Sequence, residues 1–207
     1  MKNPVRVYAP LLLLVCAALL SACEPSITDP SLVDWDDREV FRRGLVRGER
    51  SALDDLPGAS IYHIDFQISE DFGALQGHQE VRYTNQEDEP LQEIYFQLFP
   101  NHAGGASRVS NLQIDGQEVS SRYEYEDTAL RVDLPELLGP GEQIVISLDF
   151  EVEVAWYIAG NYGLFGYFDD ILALDEFYPV IPVYDDEGWN VEAPPPNHTG
   201  RPNVSRK

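Results

Sequence analysis

From Ile61 onward the apolar residues fall on alternate positions, the period of a strand with one face buried. Tyr62, Ile64, Phe66 and Ile68 alternate with His63, Asp65 and Gln67. Leu75, Gly77, Gln79, Val81 and Tyr83 share the next face. Ile94, Phe96 and Leu98 form a third, with Tyr95 and Phe99 on the opposite side. Val109 to Ile114 runs into Asp115-Gly116, a hairpin turn signal, and Val119 to Tyr125 is the expected return strand. Leu130, Val132 and Leu134 alternate again. After the Gly139-Pro140-Gly141 turn, Ile144, Ile146, Leu148 and Phe150 continue through Val152 and Val154. About seven short strands separated by turns, with no convincing long helix, predict an all-β antiparallel β-sandwich. No internal repeat is present.

The pattern changes at both ends. Lys2 and Arg6 precede the apolar run Leu11 to Leu20, which is too short to span a bilayer comfortably. Leu20-Ser21-Ala22-Cys23 follows, in the form of a bacterial lipobox. Residues 1–22 therefore read as a lipoprotein signal peptide, with Cys23 as the lipidation site and the product exported and lipid-anchored at the outer face of the cytoplasmic membrane or cell envelope. Cys16 lies in the apolar run and is lost on cleavage, so the mature chain has no intramolecular disulfide. Residues 23–59 lack sustained periodicity and read as a tether. Within it, Val40 to Leu53 carries Arg42, Arg43, Arg47 and Arg50 against Glu49 alone. One short helix is expected there, weakened by Gly44 and Gly48. Its arginines would meet lipid phosphates or acids of the folded part.

Charge narrows the partners. Removing Lys2 and Arg6 from 14 cations set against 36 acids leaves a formal −24. That argues against nucleic acid and against an anionic membrane surface as ligands of the folded part.

The densest chemistry lies at Asn161 to Trp189, with eight aromatics and seven carboxylates in 29 positions and no Lys, Arg or His. Such aromatics fill a core or wall an interface. Asp169-Asp170 are adjacent and on a strand would face opposite ways, so no paired-carboxylate chemistry is assigned to them. Asp185-Asp186-Glu187-Gly188 lacks the alternating spacing of a calcium loop and reads as a turn. Ser107 and Ser110 have no evident His and Asp partners.

The order Tyr62-x-Ile64, Leu75-x-Gly77, Val81-x-Tyr83-x-Asn85 and Ile94-x-Phe96-x-Leu98-x-Pro100-Asn101 resembles the opening domain of the aminopeptidase N and leukotriene-hydrolase family of zinc metallopeptidases. So do Leu134-x-x-x-Leu138-x-x-Gly141-Glu142, Tyr162-Gly163, Phe177-Tyr178-Pro179 and Gly188-Trp189. The resemblance is to exported bacterial lipoprotein members and covers residues 60–193. It implies a saddle-like sandwich that packs on a thermolysin-like catalytic domain. Zinc would be held in that second domain by H-E-x-x-H and a distant Glu. This chain has His63, His78, His102 and His198, none of which opens H-E-x-x-H. No catalytic, metal or cofactor residue is assigned to it. Tyr178, Pro179 and Trp189 are the candidate interdomain or cleft-lining residues. Peptide is a substrate only of the full-length protein.

Residues 194–207 follow Pro194-Pro195-Pro196 with Arg201, Arg206, Lys207 and no acid, whereas residues 61–192 hold 27 acids and four arginines. The expectation is a frameshifted or truncated chain, the alternative a short protein with a disordered basic tail. A second functional class also stands: a free-standing surface lipoprotein binding peptide or carbohydrate on Trp156, Tyr157, Tyr162 and Trp189.

Overall fold

The computed structural model describes residues 34–157 and 163–191. Cys23, the signal region, Tyr162 and the basic tail lie outside the described residues. Twelve strands are formed among the described residues. β1 (Ile61–Ile68), β2 (Ala74–Thr84), β4 (Ala106–Ile114), β5 (Gln117–Glu118) and β8 (Gln143–Glu153) make one antiparallel sheet in the order β1-β2-β8-β4-β5. β3 (Leu91–Gln97), β6 (Ser121–Glu124) and β7 (Ala129–Leu138) make a second, in the order β3-β7-β6. The aromatic run adds two hairpins, β9 (Phe165–Phe168) with β10 (Ile171–Leu174), and β11 (Tyr184–Asp185) with β12 (Gly188–Trp189).

The alternation carries directly into packing. Leu75, Val81, Ile146, Leu148, Phe150 and Val152 from the first sheet meet Ile94, Phe96, Leu98, Leu130 and Val132 around the second in one buried cluster. Gly77 is required by this packing: a Cβ there would lie 2.6 Å from the Phe150 ring and 2.6 Å from the Asp65 carbonyl oxygen.

One expected strand is divided. The hairpin after Asp115-Gly116 closes through Ile114 with Gln117 and Gln113 with Glu118, then ends. Residues 121–124 pair instead with β7, in the other sheet. Val119 packs against the core at this corner, and the Val109 amide donates to the Tyr123 hydroxyl at 2.9 Å. The chain thus changes sheets within what the pattern reads as one strand, a common device at sandwich corners.

The second sheet is narrower than the first, so the inner face of β1 and β2 needs another cover. Residues 177–181 supply it. Gln97 and Val180 exchange backbone hydrogen bonds of 2.7 and 3.2 Å, which sets this segment beside β3. The Ile181 amide donates to the Tyr62 hydroxyl, and buried Gln79 donates through Nε2 to the Pro179 carbonyl. Phe177 packs on Phe66 and Phe150, and Tyr178 meets Tyr62 edge-on.

The segment before β1 is ordered as two short helices, an α-helix α1 (Glu39–Gly44) and a 3-10 helix (Arg47–Asp55). The short helix is where the sequence places it, and it stops at Gly44. Arg42 pairs with Asp54 and donates to the Arg50 carbonyl, so this arginine is bound within the arm itself.

Candidate functional site

The residues that carry the family resemblance meet in pairs, and the meetings are structural. Buried Asn85 donates through Nδ2 to the Glu89 and Leu138 carbonyls and accepts from the Glu87 amide. Its own backbone bonds Glu142 and Gly141, which explains why Asn85 and Gly141-Glu142 occur together. Asn101 donates to the Ser107 and Asp127 carbonyls and accepts from the Ser107 amide, tying the helical turn α2 (Phe99–His102) to β4 and to the loop before β7. Both asparagines have their amide groups satisfied inside the protein, the usual state of a buried polar side chain.

The three residues proposed as interdomain or cleft-lining separate in space. Tyr178 and Pro179 belong to the segment that covers β1 and β2. Trp189 sits beyond it, its ring 6.1 Å from Tyr83, 6.3 Å from Tyr95 and 5.1 Å from Tyr184. Tyr83 belongs to the main core, whereas Tyr95 packs with Ala129 and Val191 in a second small cluster. Trp189 therefore closes the sandwich at the edge of β3. The preceding turn is fixed by Asp185, whose carboxylate accepts from the Glu187 amide and from Asn190 and is held below its ordinary range by those bonds. Gly188 has φ of 104°, so it closes this turn as the sequence predicts.

A different aromatic group is exposed. Trp156 and Tyr157 are 56% and 60% exposed just after β8, and Phe72 is 42% exposed in the β1–β2 turn. Trp156 meets Tyr167 edge-on at 5.4 Å, and Phe72 lies 5.4 Å from the same ring. Ile68 and Phe66, on the inward face of β1, are 40% and 39% exposed. The hairpin holding Tyr167 is anchored by fully buried Phe165 and by the Tyr167 amide donating to the Ala155 carbonyl. Gly166 permits that approach: a Cβ would stand 2.9 Å from the Ala155 oxygen. The turn bearing Phe72 is held by Asp71, which accepts from the Ser69 hydroxyl and the Gly73 amide and is depressed by those bonds.

These two aromatic groups are far apart. Gly73 lies against Trp156 and Tyr83 against Trp189. Ten residues of extended chain separate them, about 33 Å at the strand rise. Trp156 and Trp189 do not share a platform, and Tyr162 lies outside the described residues.

Sequence reasoning missed one polar arrangement. His78, Asp149 and Ser110 occupy one register across β2, β8 and β4. His78 Nδ1 lies 2.7 Å from Asp149 Oδ1, and Asn111 donates to Asp149 Oδ2 at 2.6 Å. The Asn111 bond, then the His78 bond, lowers the Asp149 pKa. This row is not a nucleophile triad. Asp149 stands between the other two, so His78 and Ser110 are two strand spacings apart, about 10 Å. Only the pairing across strands brings these residues together, so no local motif reveals them.

Among the described residues no three His, Cys, Asp or Glu side chains form a group able to hold a metal ion. No described helix is long and apolar enough to cross a membrane.

No family model matches the chain, and no curated protein matches it. Solved structures similar to it include the M1 zinc metallopeptidase from Deinococcus radiodurans, with 24% identity, a TM-score of 0.43, and 57% of this chain and 27% of that chain covered. A two-domain M1 zinc metallopeptidase mutant bound to L-tryptophan gives 24% identity and a TM-score of 0.44, with 57% of this chain and 28% of that one covered. The mutant bound to L-arginine gives 26%, 0.36, and 45% and 19% coverage. The chain spans about a quarter or less of the length of these structures.

Proposed function

We propose that this chain is the noncatalytic opening domain of a membrane-anchored, zinc aminopeptidase-like metallopeptidase, and that it packs on a catalytic domain and helps shape its cleft. The observation that carries this reading is that the resemblance residues form the corners of one sandwich. Asn85 meets Gly141 and Glu142, and Tyr62 meets Tyr178. A shared scaffold accounts for motifs that have no chemistry of their own. The exposed aromatic end supports the same reading, because apolar surface of this kind suits an interdomain face. In this reading the zinc belongs to the catalytic domain. The anchor is lipid on Cys23, at the cell envelope.

The test is to read the gene in all three frames beyond the Pro194–Pro196 codons. An H-E-x-x-H followed by a distant Glu supports the reading. Its product, expressed as one continuous chain, should cleave amino-terminal residues from peptides and lose that activity to a chelator. A verified stop with no such motif beyond it sinks the proposal. The second reading, a surface lipoprotein that binds peptide or carbohydrate, is favoured by the exposure of Trp156 and Tyr157. Calorimetric binding of an oligosaccharide or peptide that is lost in W156A would establish it.

A further inference from the structure

The arm before β1 returns to the sheet it leaves. Trp35 lies flat on His63, ring centroids 3.9 Å apart and planes within 14°. Arg82, diagonal to His63 on β2, donates to the Asp36 carboxylate at 2.8 Å and to the Trp35 carbonyl at 3.0 Å. Its guanidinium also stands 5.8 Å from the centre of the Trp35 ring. Two residues of the arm thus engage a ring, a charge and a backbone bond on one spot of the outer sheet face. Between this spot and β1 the arm is braced internally: Arg38 donates to the Leu53 and Leu56 carbonyls, and Arg42 holds Asp54. Little of it is buried. Val40, Phe41, Val46 and Leu56 are all exposed.

We propose that residues 35–60 form a strap that opens, with the His63–Arg82 spot as its catch and the Trp35–Asp36 pair as its tongue. The attachment is small: the Trp35–His63 stack, the two Arg82 bonds to Asp36 and Trp35, and Gly58 against the Gln86 side chain, so its release leaves the sandwich core untouched. The catch carries an internal weakness. His63 Nδ1 is buried without a hydrogen-bond partner among the described residues, and opening restores it to water. Acid should favour opening. Burial under the strap lowers the His63 pKa, with Arg82 adding to the effect and Glu80, opposite on β2, opposing it. Asp36 approaches from the arm and Asp65 lies two residues along β1. A histidine lowered in the closed form stabilises closure above its ordinary pKa, near 6.5, and ceases to do so as pH falls through the lowered value. Once open and with its internal braces also released, residues 36–60 would reach at most about 80 Å at about 3.3 Å per residue. That consequence rests on the proposed anchor at Cys23. The opening itself does not.

Limited trypsin digestion of the full chain at neutral pH tests the strap. W35A should be cut at Arg43, Arg47 and Arg50 about tenfold faster than the parent chain, since a lost aromatic stack and weakened ion pair shift a local equilibrium by about that factor. R82Q should fall between the two. Cleavage at Arg131, in the core strand β7, should stay slow in both and so reports that the sandwich is folded. An NMR titration of His63 gives a second readout: it should return toward its ordinary pKa in W35A. His63→Phe, which keeps a stacking ring without the titrating group, should remain closed in acid. Equal cleavage of the parent chain, W35A and R82Q with Arg131 protected would overturn the proposal. So would a His63 titration unmoved by W35A. If W35A exposes Arg131, R82Q alone decides by the same criterion.

Discussion

Trp189 and Trp156 are both tryptophans late in the chain, among acids and other aromatics, at opposite ends of β2. Trp189 bridges the main core at Tyr83 and the small cluster at Tyr95. Trp156 touches Tyr167 by one edge and leaves more than half its surface to water. The difference follows from what lies opposite each ring. The β11–β12 hairpin and Val191 wrap the β3 edge around Trp189, whereas the inner face near Ile68 and Phe66 remains partly open. Aromatic density in a sequence therefore does not distinguish a closing core from an exposed face.

The sharpest way to break this comparison is to truncate both rings. W189A should cost about 3–4 kcal/mol in a denaturant midpoint experiment, the range for removing a packed aromatic. W156A should cost under about 0.5 kcal/mol, as exposed substitutions do. Equal losses would show that the exposed end is as firmly built as the closed one.

Removing the corner that joins Asn85 to Gly141 comes next. N85A leaves the Leu138 carbonyl and its neighbours without their partner, at a cost of about 2–3 kcal/mol measured the same way. A loss as small as that of W156A would mean that water replaces the side chain.

Alkali should act on the closed side first. Burial pushes Tyr62 and Tyr83 up to about 12. Groups raised in the folded state contribute stability that is complete below their ordinary value near 10 and is lost as pH rises through the folded value. Tyrosinate absorbance should therefore show a late step that coincides with loss of the fold, and Y62F should reduce it.

A further small effect belongs to the outer face. Asp149 is held low by Asn111 and His78, so its contribution is present above the ordinary carboxylate pKa and disappears as pH falls through the lowered one. The pair is well exposed, and N111A should cost under about 1 kcal/mol at neutral pH and less in acid.

The strands read from alternation, from Ile61 to Val154, are present because a buried face fixes a period of two whatever covers it. Turns set by local chemistry were equally legible, as at Asp115-Gly116 and Gly188. The division of residues 117–124 between two sheets was not, because both halves alternate alike and only the available partner strand separates them. The same holds for His63, which Trp35 reaches from 28 positions earlier in the chain.

By itself, then, the sequence determined an antiparallel sandwich, its main core and the absence of H-E-x-x-H from these residues, since each depends on local order or residue identity. Tertiary structure alone decided that Tyr178 and Pro179 cover β1 and β2, that Trp189 closes an edge while Trp156 stays exposed, and that the arm is caught at Arg82. Those outcomes depend on which surfaces remain uncovered once the two unequal sheets have packed, and that is a property of the assembled sheets rather than of any segment.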